Sequence, residues 1–151
     1  MKELIALTLM TAIPVLAQGG TTMHAKGSFD VKVQPLTADG GMPQRLSLDK
    51  QYHGVLEATA KGEMLTAGDQ KAGSAGYVAL ETVTGSLDGH AGSFSFMHLG
   101  SMSSGRVAMR VEIVPGSGTG ALSGIQGTMK IDFGPKGEHF YTLDYTLPDS
   151  R

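Results

Sequence analysis

Three short segments of this chain set polar side chains among aromatic ones at a spacing of two. They are Tyr77-x-Ala79-x-Glu81, Phe94-x-Phe96-x-His98 and His139-x-Tyr141-x-Leu143-x-Tyr145. Residues two apart in a β-strand share a face. If the three faces line one interior, it gathers Glu81, His98, His139, Tyr77, Tyr141 and Tyr145 beside Phe94 and Phe96. A mostly apolar cavity with a few polar groups is the usual form of a small-molecule site. Burial raises a carboxyl pKa, so Glu81 is the candidate general acid or base. A histidine–tyrosine pair could orient a ligand carbonyl or hydroxyl. Alternation alone does not say which face is inward. In the opposite assignment Val78, Leu80, Met97 and Leu99 fill the interior, and the Tyr/His/Glu face is wet or an interface.

Other chemistries find little support. The run Gly116-Ser117-Gly118-Thr119-Gly120 resembles a phosphate-binding loop, but no G-K-[ST] follows it and a β-turn is expected there. The histidines are His24, His53, His90, His98 and His139, and no two stand at i,i+2 or i,i+4. A metal site would need three to converge across strands, so no metal is expected, and nothing in the sequence calls for a cofactor. No nucleophile elbow stands in a strand-to-helix context. The chain has no cysteine, which removes disulfides and thiolate chemistry. Its 12 Lys+Arg against 14 Asp+Glu give no basic stripe, and aromatic residues are only 6%, so nucleic-acid binding is not expected.

Positioning these residues requires strands. The length of 151 residues suits one domain. Strand candidates are Met23 to Gln34, Arg45 to Thr59, Glu63 to Thr66, Gly76 to Leu87, Ser93 to Met102, Arg106 to Val114, Thr128 to Phe133 and His139 to Leu147. In the second, Leu46, Leu48, Lys50 and Tyr52 share one parity, and Gly54 reads as a bulge or kink. Pro135 to Glu138 reads as a tight turn. Ala58 to Leu65 contains helix formers, but Gly62 argues against a helix. About eight strands at short spacing imply an all-β fold, a single closed antiparallel barrel, with a two-sheet sandwich as the competitor. The 22 glycines favour the barrel, which needs sharp coiling.

The N-terminus reads separately. Lys2 precedes an apolar run from Leu4 to Ala17, and Val15-Leu16-Ala17 offers the small residues of a signal-peptidase site. The run is shorter than the roughly 20 residues a membrane span needs. Residues 1–17 are therefore expected to be a signal peptide and 18–151 the barrel domain, exported to the periplasm or secreted once the leader is cleaved and left without a membrane span. An uncleaved N-terminal helix, with the protein in the cytoplasm, is the alternative.

Several ordered blocks carry a family resemblance. They are Lys50 to Thr59, Lys61 to Leu65, Gly73 to Glu81, Gly85 to Phe96 with His98, Val114 to Gly124, and His139 to Leu147. From about Ala25 to Pro148 the chain resembles DUF3224, a family of small bacterial proteins without an assigned function. The resemblance implies a β-barrel related to allene oxide cyclase and, more distantly, to dirigent proteins. Members of that wider group bind hydrophobic small molecules and steer cyclisation.

Three functions remain. The first is a barrel that binds a small hydrophobic molecule. The second is a cyclase or isomerase of the allene oxide cyclase type, with Glu81 acting on a substrate held by Tyr77, Phe94, Phe96, His98, His139, Tyr141 and Tyr145. The third is a structural scaffold with a filled interior, forming a homo-oligomer through the Tyr/His face.

Overall fold

The structure is a computed structural model, and it describes residues 20–36 and 42–148. The signal-peptide reading of residues 1–17 lies outside them. Eight strands follow one another: β1 (Met23–Pro35), β2 (Gln44–Gly54), β3 (Leu56–Asp69), β4 (Ser74–Leu87), β5 (His90–Ser103), β6 (Arg106–Ile113), β7 (Gln126–Phe133) and β8 (His139–Thr146). Each pairs antiparallel with the next, and β8 pairs with β1, placing Ala25 opposite Leu143. The sheet is therefore a closed eight-stranded barrel, with its shortest seam between β6 and β7, which pair only at Val111–Met129 and Glu112–Thr128.

The strand boundaries differ from expectation in one region. Arg45 to Thr59 is not one bulged strand. The chain reverses at Gly54 and Val55, so that Tyr52 pairs with Ala58. Gly54 has φ of 109°, a left-handed conformation that favours glycine. Glu63 to Thr66 is the second half of β3, and the alternation of Ala58 and Ala60 inward with Thr59 and Lys61 outward continues through it.

The parity question has a definite answer. Val83, Ala79, Phe94 and Phe96 are buried, whereas Leu80 and Leu99 are 60% and 58% exposed. Val78 and Met97 also lie on the outer surface. The reading in which Val78, Leu80, Met97 and Leu99 fill the interior is thus overturned. The Tyr/His/Glu parity can face inward because its polar members find partners there, as described below.

The interior divides along the barrel axis. One half is filled by Ala25, Tyr52, Leu56, Ala58, Leu87, Phe94, Phe96, Leu143 and Tyr145. The segment between β6 and β7 closes this end. It contains a single 3-10 turn, Gly120–Leu122, rather than only the expected β-turn. Leu122 and Ile125 are buried, and Thr119 is bonded to Ser93 through both backbone and side chain. The glycine-rich run is therefore a plug: a Cβ at Gly118 would collide with the Leu122 carbonyl oxygen.

Candidate functional site

The other half of the barrel is hollow. A cavity of about 290 Å³ is walled by Val31 and Val33 of β1, Leu46 and Leu48 of β2, Met64 of β3, Val107 and Met109 of β6, and Ile131 and Phe133 of β7. Alternation places these apolar residues inward, and Ala75 and Ala79 on the inward parity of β4 add little bulk to the space they enclose. Val33, Val107 and Phe133 are also exposed, so the cavity opens at their end of the barrel.

Polar groups gather at its inner end. Lys50 is 6% exposed, His98 6% and Glu81 2%. The Lys50 ammonium Nζ lies 2.8 Å from Glu81 Oε2. The Tyr52 hydroxyl donates to Glu81 Oε1 at 2.6 Å, and Lys50 Nζ donates to the Tyr52 hydroxyl at 3.4 Å. His98 Nε2 approaches Glu81 Oε1 at 3.4 Å. The last contact and the Lys50–Glu81 Oε2 pair lack hydrogen-bond alignment. Lys50 also stands over the Phe29 ring at 4.9 Å, a cation–π contact.

This arrangement reverses the expected behaviour of Glu81. Burial alone would raise its pKa, but His98 and the Lys50 ammonium outweigh burial and lower it from 4.5 to about 2. Of those two partners Lys50 is the better defined, because it is closer. Glu81 is thus held as a carboxylate, not poised as a raised-pKa acid. Burial and the neighbouring Glu81 raise the Tyr52 hydroxyl well above 10, so it stays a donor.

The remaining candidates separate by height in the barrel. Tyr77, His98 and His139 line the cavity. The Tyr77 ring lies against Gly100 on β5, where a side chain would collide with it. Its hydroxyl is raised by burial and by Glu81. His139 stacks on Phe29 at 4.9 Å and meets Phe133 edge-on at 5.3 Å. Burial, then the charge of Lys50, lowers the His139 pKa against an opposing effect of Asp30.

Glu81, Phe94, Phe96, Tyr141 and Tyr145 are not part of the cavity wall. Phe94 and Phe96 pack edge to face at 5.0 Å in the filled half. The Tyr141 hydroxyl accepts the Leu56 N–H at 2.9 Å and donates to the His53 carbonyl at 3.2 Å, holding the β2–β3 turn. Its ring occupies the space left by Gly27, which has no side chain to displace it. Lys50 and Tyr52 are the members that sequence reasoning passed over. Their signal was present: both share the parity of Leu46 and Leu48, so a lysine falls on an apolar face. Among the described residues no three His, Asp or Glu side chains gather as a metal site would require.

Comparison with known proteins agrees with the barrel. The family model DUF3224, a protein of unknown function, matches residues 25–145. A crystal structure of a protein of unknown function from the DUF3224 family of Shewanella oneidensis MR-1 is 41% identical. The match covers 86% of this chain and 100% of that one, with a TM-score of 0.78. No curated protein matches the chain.

Proposed function

The chain belongs to the DUF3224 family, and we propose that it binds one small hydrophobic molecule in the open half of its barrel. The observation that carries this reading is the asymmetry of the interior. One half is packed with side chains, while the other keeps about 290 Å³ between aliphatic walls. That volume lies at the small end of the roughly 300–1,000 Å³ typical of ligand pockets. Transfer of apolar surface from water into such a space is favourable at about 25 cal/mol per Å². A filled scaffold would have no reason to keep it. With residues 1–17 read as a cleaved leader, we place this binder outside the cytoplasm.

A cyclase or isomerase using Glu81 is the competing reading, and it asks the carboxylate to touch the substrate. Glu81 has a fully buried side chain and lies behind Lys50 and His98, which face the cavity. The geometry therefore favours binding over Glu81 chemistry.

Thermal unfolding in the presence of a panel of neutral lipophiles tests the binder. A ligand at about a hundred times its Kd stabilises by about 2.7 kcal/mol, which raises Tm by on the order of 5 °C or more. Met109→Trp, which fills the cavity from β6, is expected to abolish the shift. If no compound raises Tm, or if Met109→Trp keeps the effect, the cavity is not a ligand site.

A further inference from the structure

We infer that the cavity selects a neutral carbonyl compound: an apolar body carrying one uncharged carbonyl oxygen, docked with that oxygen against Lys50. This rests on the reading of the cavity as a ligand site.

The first argument is the count of donors and acceptors. An ammonium has three donors. Lys50 forms an ion pair with Glu81 Oε2 at 2.8 Å that is not aligned as a hydrogen bond, and it donates to the Tyr52 hydroxyl at 3.4 Å. At least one of its donors therefore has no assigned partner among the described residues, and Lys50 is part of the cavity wall. The cluster's anionic acceptor, Glu81, is withdrawn beneath, and Tyr52 points its hydroxyl at Glu81 rather than at the cavity. The cluster thus presents the ligand with a donor that lacks an acceptor. An acceptor atom on the ligand satisfies it, and an aliphatic ligand end leaves it unmet.

The second argument is charge. Lys50 and Glu81 are a directly contacting pair, so the end of the cavity carries opposite charges that cancel. A carboxylate ligand would bring a further negative charge into an apolar space, a few ångströms from Glu81. Burying a charge without its own counter-ion is far more costly than burying a neutral acceptor. A ketone, aldehyde or ester oxygen takes the Lys50 donor without that cost. The rest of the wall, with Val31, Leu48, Met64 and Ile131, asks only for an apolar body.

A matched series separates these terms. Octane, methyl hexyl ketone and octanoate have similar bodies and differ at one end. Their Kd values are measured on the full chain by competition with a neutral fluorescent lipophile, at pH about 8, where the free acid is ionised. The ketone is expected to bind about tenfold more tightly than octane, the size of one hydrogen bond to a charged donor, and octanoate more weakly than the ketone. In Lys50→Met/Glu81→Gln, which removes both charges at similar volume, the ketone is expected to bind no more tightly than octane, because its carbonyl is then buried without a donor. Tightest binding by octanoate, equal binding of ketone and octane to the unsubstituted protein, or a ketone preference that survives the double substitution each overturns the inference. If octane binds and Met109→Trp abolishes it while the ketone gains nothing, only the carbonyl selectivity fails. If none of the three binds, the ligand-site reading fails with it. The ranking on the unsubstituted protein decides the matter even if the double variant does not fold.

Discussion

Acid should expose the Glu81 charge as a separate contribution to stability. Its carboxyl is lowered on folding from 4.5 to about 2. A group lowered in this way binds fewer protons folded than unfolded between those values. Its contribution is therefore complete above about pH 4.5 and disappears as pH falls toward 2. At about 1.4 kcal/mol per pH unit, the drop from 4.5 to about 2 corresponds to about 3 kcal/mol. Other carboxylates titrate in the same window, so the measurement must be a difference. The reference is Lys50→Met/Glu81→Gln, in which the pair is replaced by uncharged groups. Such a replacement is often neutral or mildly stabilising, so the double variant should match the unsubstituted protein near neutral pH to within about 2 kcal/mol. Urea unfolding followed by far-ultraviolet circular dichroism, from neutral pH down to about 3, gives the two stability curves. The unsubstituted protein is expected to fall away from the double variant below about pH 4.5. Lys50→Met alone leaves the carboxylate buried without its cation and should cost about 3–5 kcal/mol near neutral pH. Part of that cost should return on acidification, because protonation removes the stranded charge. Parallel curves for the unsubstituted protein and the double variant would show that Lys50 does not hold Glu81 ionised, and the account of the cluster would be wrong.

Two further outcomes follow from the filled half of the barrel. Tyr141→Phe removes the acceptor of the Leu56 N–H and the donor to the His53 carbonyl; a buried group left unsatisfied costs about 1–3 kcal/mol. Denaturant unfolding should show that loss while ligand affinity stays unchanged, since Tyr141 is not part of the cavity wall. Gly27→Ala drives a methyl group into the His53 carbonyl and the Tyr141 ring. It is expected to cost at least the roughly 1–3 kcal/mol of an overpacked core, and a stable, fully folded variant would contradict the close approach of β1 and β8.

What the sequence makes legible here depends on which barrel coordinate is asked for. Alternation reports whether a side chain points in or out: Tyr77 on β4, Phe94 and Phe96 on β5, and Tyr141 and Tyr145 on β8 lie on the inward parity, whereas Phe140 of β8 is exposed on the other. It reports nothing about height along the axis. Phe96 and His98 are two residues apart on one face of one strand, yet Phe96 packs in the filled half and His98 stands at the cavity. Height is set by register, which accumulates over all eight strands: Glu81 lies opposite Gly62 and Phe96, whereas Tyr141 lies opposite Gly27, beside the β2–β3 turn. No local pattern contains that sum. Lys50 escapes for a related reason. Its carboxylate partner lies two strands away across β3, so on its own strand it reads as a solvated cation interrupting Leu48 and Tyr52. The better sequence signal is the coincidence that β2, β4 and β5 each set a charged or imidazole side chain among apolar neighbours of its own parity: Lys50 beside Leu48, Glu81 between Ala79 and Val83, and His98 beside Phe96. A buried charge is tolerated only with a partner. Three such residues on neighbouring or next-neighbouring strands therefore imply one another, and a lysine on an apolar face is grounds for seeking its carboxylate before sending it to solvent.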